Sequence, residues 1–284
     1  MIARPHVVLA YLLCAASSAR AEHPDDELWK LVAKSHFIVV GIPAVTADQI
    51  ETARQKRDYV HIPVQVTKWL KGDSHDDKIT IRYYPSPQLG PSPAAVSSVN
   101  DKEAVLFVVK QDEEGVQGLY FAEYQDDAIQ KSSSELISRV AAEVSSQNAI
   151  LREFGRIFHA ENEQSCTKVR SLIEAMLSRR TEEKAFADLE AMGKDAVPCM
   201  IMFMDDRRKL PIQHIALRNE GGFEAFRQYG PKVVVDAVAA ILNQVTGESF
   251  DFIENGASER QRKEAIKAWR IYLYRTRFGM KPLT

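Results

Sequence analysis

Two rhythms of apolar residues divide the chain. Up to about residue 130 the spacing is that of strands. His36-Phe37-Ile38-Val39-Val40-Gly41-Ile42 is a compact β-rich run that stops at Pro43. From Tyr59 to Thr67 the apolar residues Val60, Ile62, Val64 and Val66 occupy every second position, which puts one face of a strand inside. Lys71-Gly72-Asp73 ends that strand with a turn signal. Ile79, Ile81 and Tyr83 predict a third strand, Ala104 to Val109 a fourth and Leu119 to Tyr124 a fifth. A short helix is expected over Asp26 to Lys34, and helical periodicity is missing from the rest of this stretch. Five strands joined by turns of uneven length suit a small antiparallel barrel or sandwich, and closing a barrel removes exposed edges.

From Ser132 the spacing changes to three and four. Leu136, Val140 and Val144, then Ile150, Phe154 and Ile157, mark one long helix, with N-cap chemistry at Ser132-Ser133-Ser134-Glu135. Val169, Leu172, Ile173 and Met176 form another apolar face, and Ala185, Leu189 and Met192 a third that closes at Gly193. Asp195-Ala196-Val197-Pro198 starts a further helix with proline in its first turn. Val233 to Val245 is strongly apolar on one face, Asp236 lies off that face, and Ser258 caps a last helix from about Glu259 to Arg275. The expected fold class is α+β, a small antiparallel OB-like β-barrel followed by an all-α domain. Its divisions are 22–130 for the barrel, 131–160 for a linking helix and 161–284 for the helical domain.

Two resemblances add to this. The order "FIVVG", an alternating strand into "VTKWLKG", "ITIRYY" and "AVLFVV" resembles the netrin/tissue-inhibitor-of-metalloproteinase type of OB-fold module over about residues 26–130. Inhibitors of that family use an N-terminal cysteine to reach a protease metal, and no cysteine lies between residues 22 and 165, so the resemblance does not imply protease inhibition. "KAFADLEAMGKDAVPCMIMFMDD" resembles a HEAT-type helical hairpin, and the segments from "AVAAILNQVTGESFDFI" to "SERQRKEAIKAWRIYL" resemble the end of exported bacterial HEAT-repeat proteins. One HEAT-like unit is clear, and no fixed period follows it.

The composition, 45% hydrophobic and 27% charged, excludes a disordered tail protein and a multi-spanning membrane protein. The net charge of -2 and the lack of a Lys/Arg cluster interleaved with aromatics argue against nucleic acid as partner. Residues 1–21 read as a secretory signal, with Arg4 before the apolar run Val7–Ala16 and small residues leading to cleavage between Ala21 and Glu22. That run is shorter than the roughly 20 residues of a membrane span, and Leu13 before Cys14 makes a poor lipobox. The expected location is periplasmic or secreted. Of the three cysteines, Cys166 and Cys199 then remain, either as a disulfide or as two buried thiols.

Catalytic motifs are sparse. HExxH, HxH, GxSxG and the phosphate-binding GxxxxGK[ST] are absent. Ser165-Cys166-Thr167-Lys168 has the SxxK form without an accompanying KTG. No cofactor or metal is expected. The candidate partner-binding residues are Pro87, Leu89 and Pro91 in the proline-rich segment 85–93, which holds four of the twelve prolines, and Arg207 and Arg208, whose guanidinium groups suit a carboxylate. Trp269, Arg270, Tyr272, Tyr274 and Arg275 divide by helical spacing between core and surface. The leading expectation is a non-enzymatic exported protein that binds a protein partner in the cell envelope. Its rivals are an envelope hydrolase assembled from distant positions, for example around Ser165 and Lys168, and an inhibitor or immunity factor acting through the β-module.

Overall fold

A computed structural model describes residues 24–72, 74–86, 91–113, 116–122, 126–158, 164–218 and 226–280. The proposed signal segment with Ala21 and Glu22 lies outside these residues, as do Pro87 and Leu89. The first unit contains α1 (Pro24–Lys34), β1 (Phe37–Pro43), α2 (Ala47–Lys56), β2 (Val60–Lys71), β3 (Lys78–Tyr83), α3 (Pro93–Ser98), β4 (Ala104–Glu113), β5 (Val116–Phe121) and β6 (Ile129–Lys131). Strands β1-β2-β3-β5-β4 close on themselves through antiparallel β1–β4 pairing, so the five form a barrel, and β6 pairs antiparallel with the start of β4. The closing β3–β5 contact is parallel and brief, with Ile81 opposite Leu119. This strand order fits an OB-type barrel.

The alternation seen in β2 and β3 is the barrel's inside and outside. Val60, Ile62, Val64 and Val66 point into the core with Ile79, Ile81 and Tyr83, while His61, Pro63, Gln65 and Thr67 are exposed. In β1 and β4 the apolar runs are continuous because both faces are covered. Val39, Leu106 and Val108 fill the barrel, whereas Ile38, Val40, Val105 and Phe107 pack outward against Leu31 and Val32 of α1 and Val140 of the next helix.

That helix, α4 (Ser134–Ile157), is capped by the Ser133 hydroxyl, which accepts from the Leu136 N–H at 3.1 Å. It leads into α5 (Gln164–Ala175), α6 (Glu182–Ala191), α7 (Val197–Met202), a hairpin of β7 (Ile215–Arg218) and β8 (Phe226–Tyr229), α8 (Val234–Thr246) and α9 (Glu259–Phe278). Helices α1 and α4 belong to both units. Trp29 and Ala33 on α1, with Ile150 and Phe154 on α4, enter the helical core that surrounds Trp269.

Several expectations are corrected. The stretch before residue 130 contains α2 and α3 as well as strands, and β6 was not foreseen. The second unit is not all-α, since the β7–β8 hairpin is built into it. Asp236 is fully buried and ion-paired with Arg262, because α8 has protein on every side from Val234 to Leu242. Of the two cysteine readings the structure adopts the disulfide, which joins Cys166 on α5 to Cys199 on α7 with Cα atoms 5.0 Å apart. Replacing both cysteines with alanine is expected to lower stability by roughly 3 to 4 kcal/mol, the loop-closure entropy of a loop of this length. Urea unfolding of the oxidised parent and the double variant measures this, and coincident curves would show that the link contributes nothing.

Candidate functional site

A cleft of about 180 Å³ lies between the barrel's outer wall and the helical unit. Its barrel side grows out of strand alternation. Ile81 and Tyr83 point inward, so Arg82 between them points out, and Tyr120 is likewise beside the inward Leu119 on β5. Tyr59 enters β2 and Tyr84 leaves β3 at the same end of the barrel, where Val60 is paired with Tyr83.

The β2–β3 pairing brings Tyr59, Arg82 and Tyr84 together, and the β3–β5 closure adds Tyr120. The Arg82 guanidinium carbon stands 4.5 Å from the Tyr59 ring centroid and 5.5 Å from that of Tyr120, and the Tyr59 ring meets Tyr84 edge-on at 5.3 Å. Burial raises the Tyr120 phenol above its ordinary value, and the neighbouring Arg82 opposes that shift. Gly118 makes room for the arginine. It has φ +139, and a Cβ there would lie 2.9 Å from Arg82 Cδ.

The helical unit contributes Ser249, Asp251, Phe252 and Gln261. Asp251 and Phe252 are consecutive non-glycine residues in the left-handed region, with φ 59 and 48. Each such residue costs on the order of 1 to 2 kcal/mol. The clamp that holds them starts at His36. Its Nδ1 accepts from the Lys110 backbone N–H at 2.9 Å and has Arg260 Nη1 at 3.0 Å. A backbone N–H only donates, so the neutral ring carries its proton on Nε2 and donates it to Asp251 Oδ1 at 2.6 Å. Arg260 Nη2 donates to the Lys110 carbonyl at 2.6 Å and closes the network. Phe252 is thereby held at the cleft with 59% of its surface exposed.

The chain matches no family model, no curated protein and no solved structure.

The described candidate residues from the sequence fall elsewhere. Pro91 is buried, and its carbonyl accepts the Tyr83 hydroxyl at 2.8 Å, so it anchors the end of the proline-rich segment to the barrel. Burial raises the Tyr83 phenol above its usual range. Arg208 is bound by the chain's own carboxylates, with 2.8 Å bonds to both oxygens of Glu174 and a 2.6 Å bond to Asp206. Arg207 donates to Glu259 and to the Met204 carbonyl. A ligand carboxylate must compete with these internal partners. Trp269 and Tyr274 are core, and Arg275 is buried in an ion pair with Glu143. Lys168 is exposed on α5.

Lys71, the last residue of β2, has its ammonium on the Val32 carbonyl at 2.7 Å, and burial pushes its pKa down to about 8. It ties β2 to the end of α1. Among the described residues no group of three His, Cys, Asp or Glu is placed to hold a metal, and no helix is long and apolar enough to cross a membrane. The reading of the sequence missed Arg82, Tyr59, Tyr84, Tyr120 and Phe252. The "RYY" at 82–84 was a visible signal, but only strand closure explains its use.

Proposed function

We propose that this is an exported, non-enzymatic binding protein of the cell envelope that holds a protein partner in the cleft between barrel and helical unit. The carrying observation is Phe252, a large apolar side chain presented to solvent by two left-handed residues beside a tyrosine-stacked arginine. Local strain that the surrounding structure maintains is concentrated at binding and catalytic sites, and aromatic and arginine side chains are the usual anchors of protein interfaces. The binding reading is favoured over a hydrolase because His36, the histidine nearest this strained turn, has both ring nitrogens engaged by the protein. It has no nitrogen left to take a proton from a substrate.

On this reading the barrel is a netrin/tissue-inhibitor-of-metalloproteinase-like OB module and the helices form a HEAT-like support. The Cys166–Cys199 disulfide supports a periplasmic or secreted location. The test is a photo-crosslinking amino acid placed at Gln111, which lines the cleft, or at Ile42, which is exposed on β1 and does not. In envelope extract the full chain labelled at position 111 is expected to trap one protein, and Arg82→Ala is expected to abolish that product. Equal products from positions 111 and 42, or products indifferent to Arg82→Ala, would reject this site.

A further inference from the structure

We infer that the His36–Asp251 contact is an acid-sensitive latch, in which the neutral imidazole holds the Asp251–Phe252 turn against the barrel and a second proton on the ring releases it. This regulates the cleft of the binding reading above, and rests on that reading for its consequence but not for its mechanism. Place in the chain is the first argument. His36 stands immediately before β1, and the groups it joins come from three other segments: Lys110 on β4, Asp251 after α8 and Arg260 on α9. The ring therefore bridges barrel and helical unit, and only 8% of the residue's surface is exposed.

Donor and acceptor polarity is the second. In the neutral ring Nδ1 is the acceptor for two donors, the Lys110 N–H at 2.9 Å and Arg260 Nη1 at 3.0 Å, while Nε2 donates to Asp251 at 2.6 Å. An added proton must take the Nδ1 lone pair. The imidazolium then carries a donor on each nitrogen, so neither ring orientation offers Lys110 or Arg260 an acceptor. A buried donor that loses its acceptor is costly, and the Arg260 cation then faces a second cation. The Asp251 carboxylate pulls the other way, because it gains an ion pair. Swinging the ring off β4 meets all three demands: the imidazolium keeps Asp251, and the Lys110 and Arg260 donors turn to water. The turn that carries Asp251 moves with the ring.

Strain is the third. Asp251 and Phe252 have φ 59 and 48, a conformation that persists only while its surroundings impose it. Withdrawing the His36 bond lets that backbone relax, and the exposed Phe252 is carried away from the cleft. Other charged groups surround the latch. Lys34 at the end of α1 and Lys110 line the cleft beside the turn. Lys71 on β2 is within electrostatic reach of Asp251, and of Glu264 and Lys267 on α9. Glu254 is within reach of Asp251, and burial raises its carboxyl above the ordinary range, which makes it a second group that titrates here. The lysines join Arg260 in opposing a positive ring, and the two glutamates join Asp251 in favouring one.

The probe is 4-fluorophenylalanine in place of Phe252 in the full chain, read by fluorine NMR as the pH falls from about 7.5 to about 5, the range in which histidine switches act. The resonance is expected to move reversibly toward its position in the urea-unfolded chain while far-UV circular dichroism stays constant. His36→Gln supplies an amide acceptor and donor at nearly the spacing of the two ring nitrogens and does not titrate, so it is expected to abolish the pH dependence. Asp251→Asn keeps an acceptor for Nε2 and tolerates the left-handed region, but removes the charge that favours the imidazolium. It is expected to move the midpoint down by at least about one pH unit. In envelope extract the crosslink from position 111 is expected at the upper pH and lost at the lower, and its pH dependence is expected to vanish in His36→Gln.

A resonance indifferent to pH overturns the latch whatever the crosslink does. So does a shift that persists in His36→Gln, which would assign it to Glu254, or one that disappears in Asp251→Asn, which would assign it to the carboxylate itself. A His36→Gln resonance already displaced at both pH values supports the latch, since the turn then lacks its holder. The expected shift with a crosslink equally strong at both pH values overturns the regulation of the cleft. No crosslink at either pH rejects the binding reading, and the resonance still decides the latch.

Discussion

Glu143→Ala is expected to destabilise the protein by about 3 to 5 kcal/mol, the usual cost of leaving one partner of a buried ion pair alone. Glu143 on α4 and Arg275 on α9 are both almost fully enclosed, with Arg275 Nη2 at 2.8 Å from each carboxylate oxygen and 3.0 Å from Ser146 Oγ. Gln147 extends the set, donating to Glu143 at 2.8 Å and to the Trp29 carbonyl of α1 at 2.9 Å. Removing the carboxylate leaves a guanidinium in a space closed to water and takes an acceptor from Gln147. The companion experiment separates the pair's net value from the cost of breaking it. Glu143→Leu combined with Arg275→Met removes both charges, and this double variant is expected to recover most of the loss. Urea denaturation of the two variants decides. A double variant as damaged as the single one would mean that the polar network itself sets the packing of α1, α4 and α9.

Asp236→Ala should have a comparable effect, about 3 to 5 kcal/mol, for two combined reasons. The N-cap of α8 is Val233, whose side chain has no acceptor with which to cap the helix. Asp236 instead reaches back, and its Oδ2 accepts the N–H groups of Lys232 at 3.0 Å and Val233 at 3.2 Å. The same carboxylate receives Arg262 of α9 at 2.7 and 2.9 Å. Alanine removes the cap, which alone is worth on the order of 1 kcal/mol, and leaves a largely buried arginine with only the more distant Glu259 carboxylate, 3.9 Å away. Asp236→Asn keeps an acceptor for the backbone but not the charge, so it is expected to lose about half as much by the same measurement. A loss below about 1 kcal/mol for alanine would show that Arg262 finds another partner or water.

How far the sequence discloses this architecture depends on whether the information is local. The alternating residues of β2 and the unbroken apolar runs of β1 and β4 report burial on one face or two, and the barrel is legible from them. Helix α2 is harder because only Ile50 and Ala53 of its ten residues are buried, which leaves no apolar stripe. Its start was nevertheless written in the chain, since Thr46 and Gln49 cap each other reciprocally. Spacing put Asp236 on the side of α8 away from Val233 and Ala240, but that side faces α9 rather than water.

The cleft is the extreme case. Tyr59 and Arg82 meet through β2–β3 pairing, Tyr120 joins them only when the β3–β5 contact closes the barrel, and Phe252 arrives from the far end of the chain through the His36–Asp251 contact. Arg207 and Arg208 were conspicuous because they are adjacent in sequence, and their charges are met internally.

The shared position of α1 and α4 bears on the order in which the chain is made. Barrel strands leave the ribosome before α4, and N-terminal units generally fold first. Until α4 follows, Val105 and Phe107 lack the Val140 surface that covers them in the finished molecule. The newborn barrel is therefore sticky along β1 and β4 for as long as synthesis takes to reach α4, and a chain truncated after β6 retains that wet apolar wall permanently.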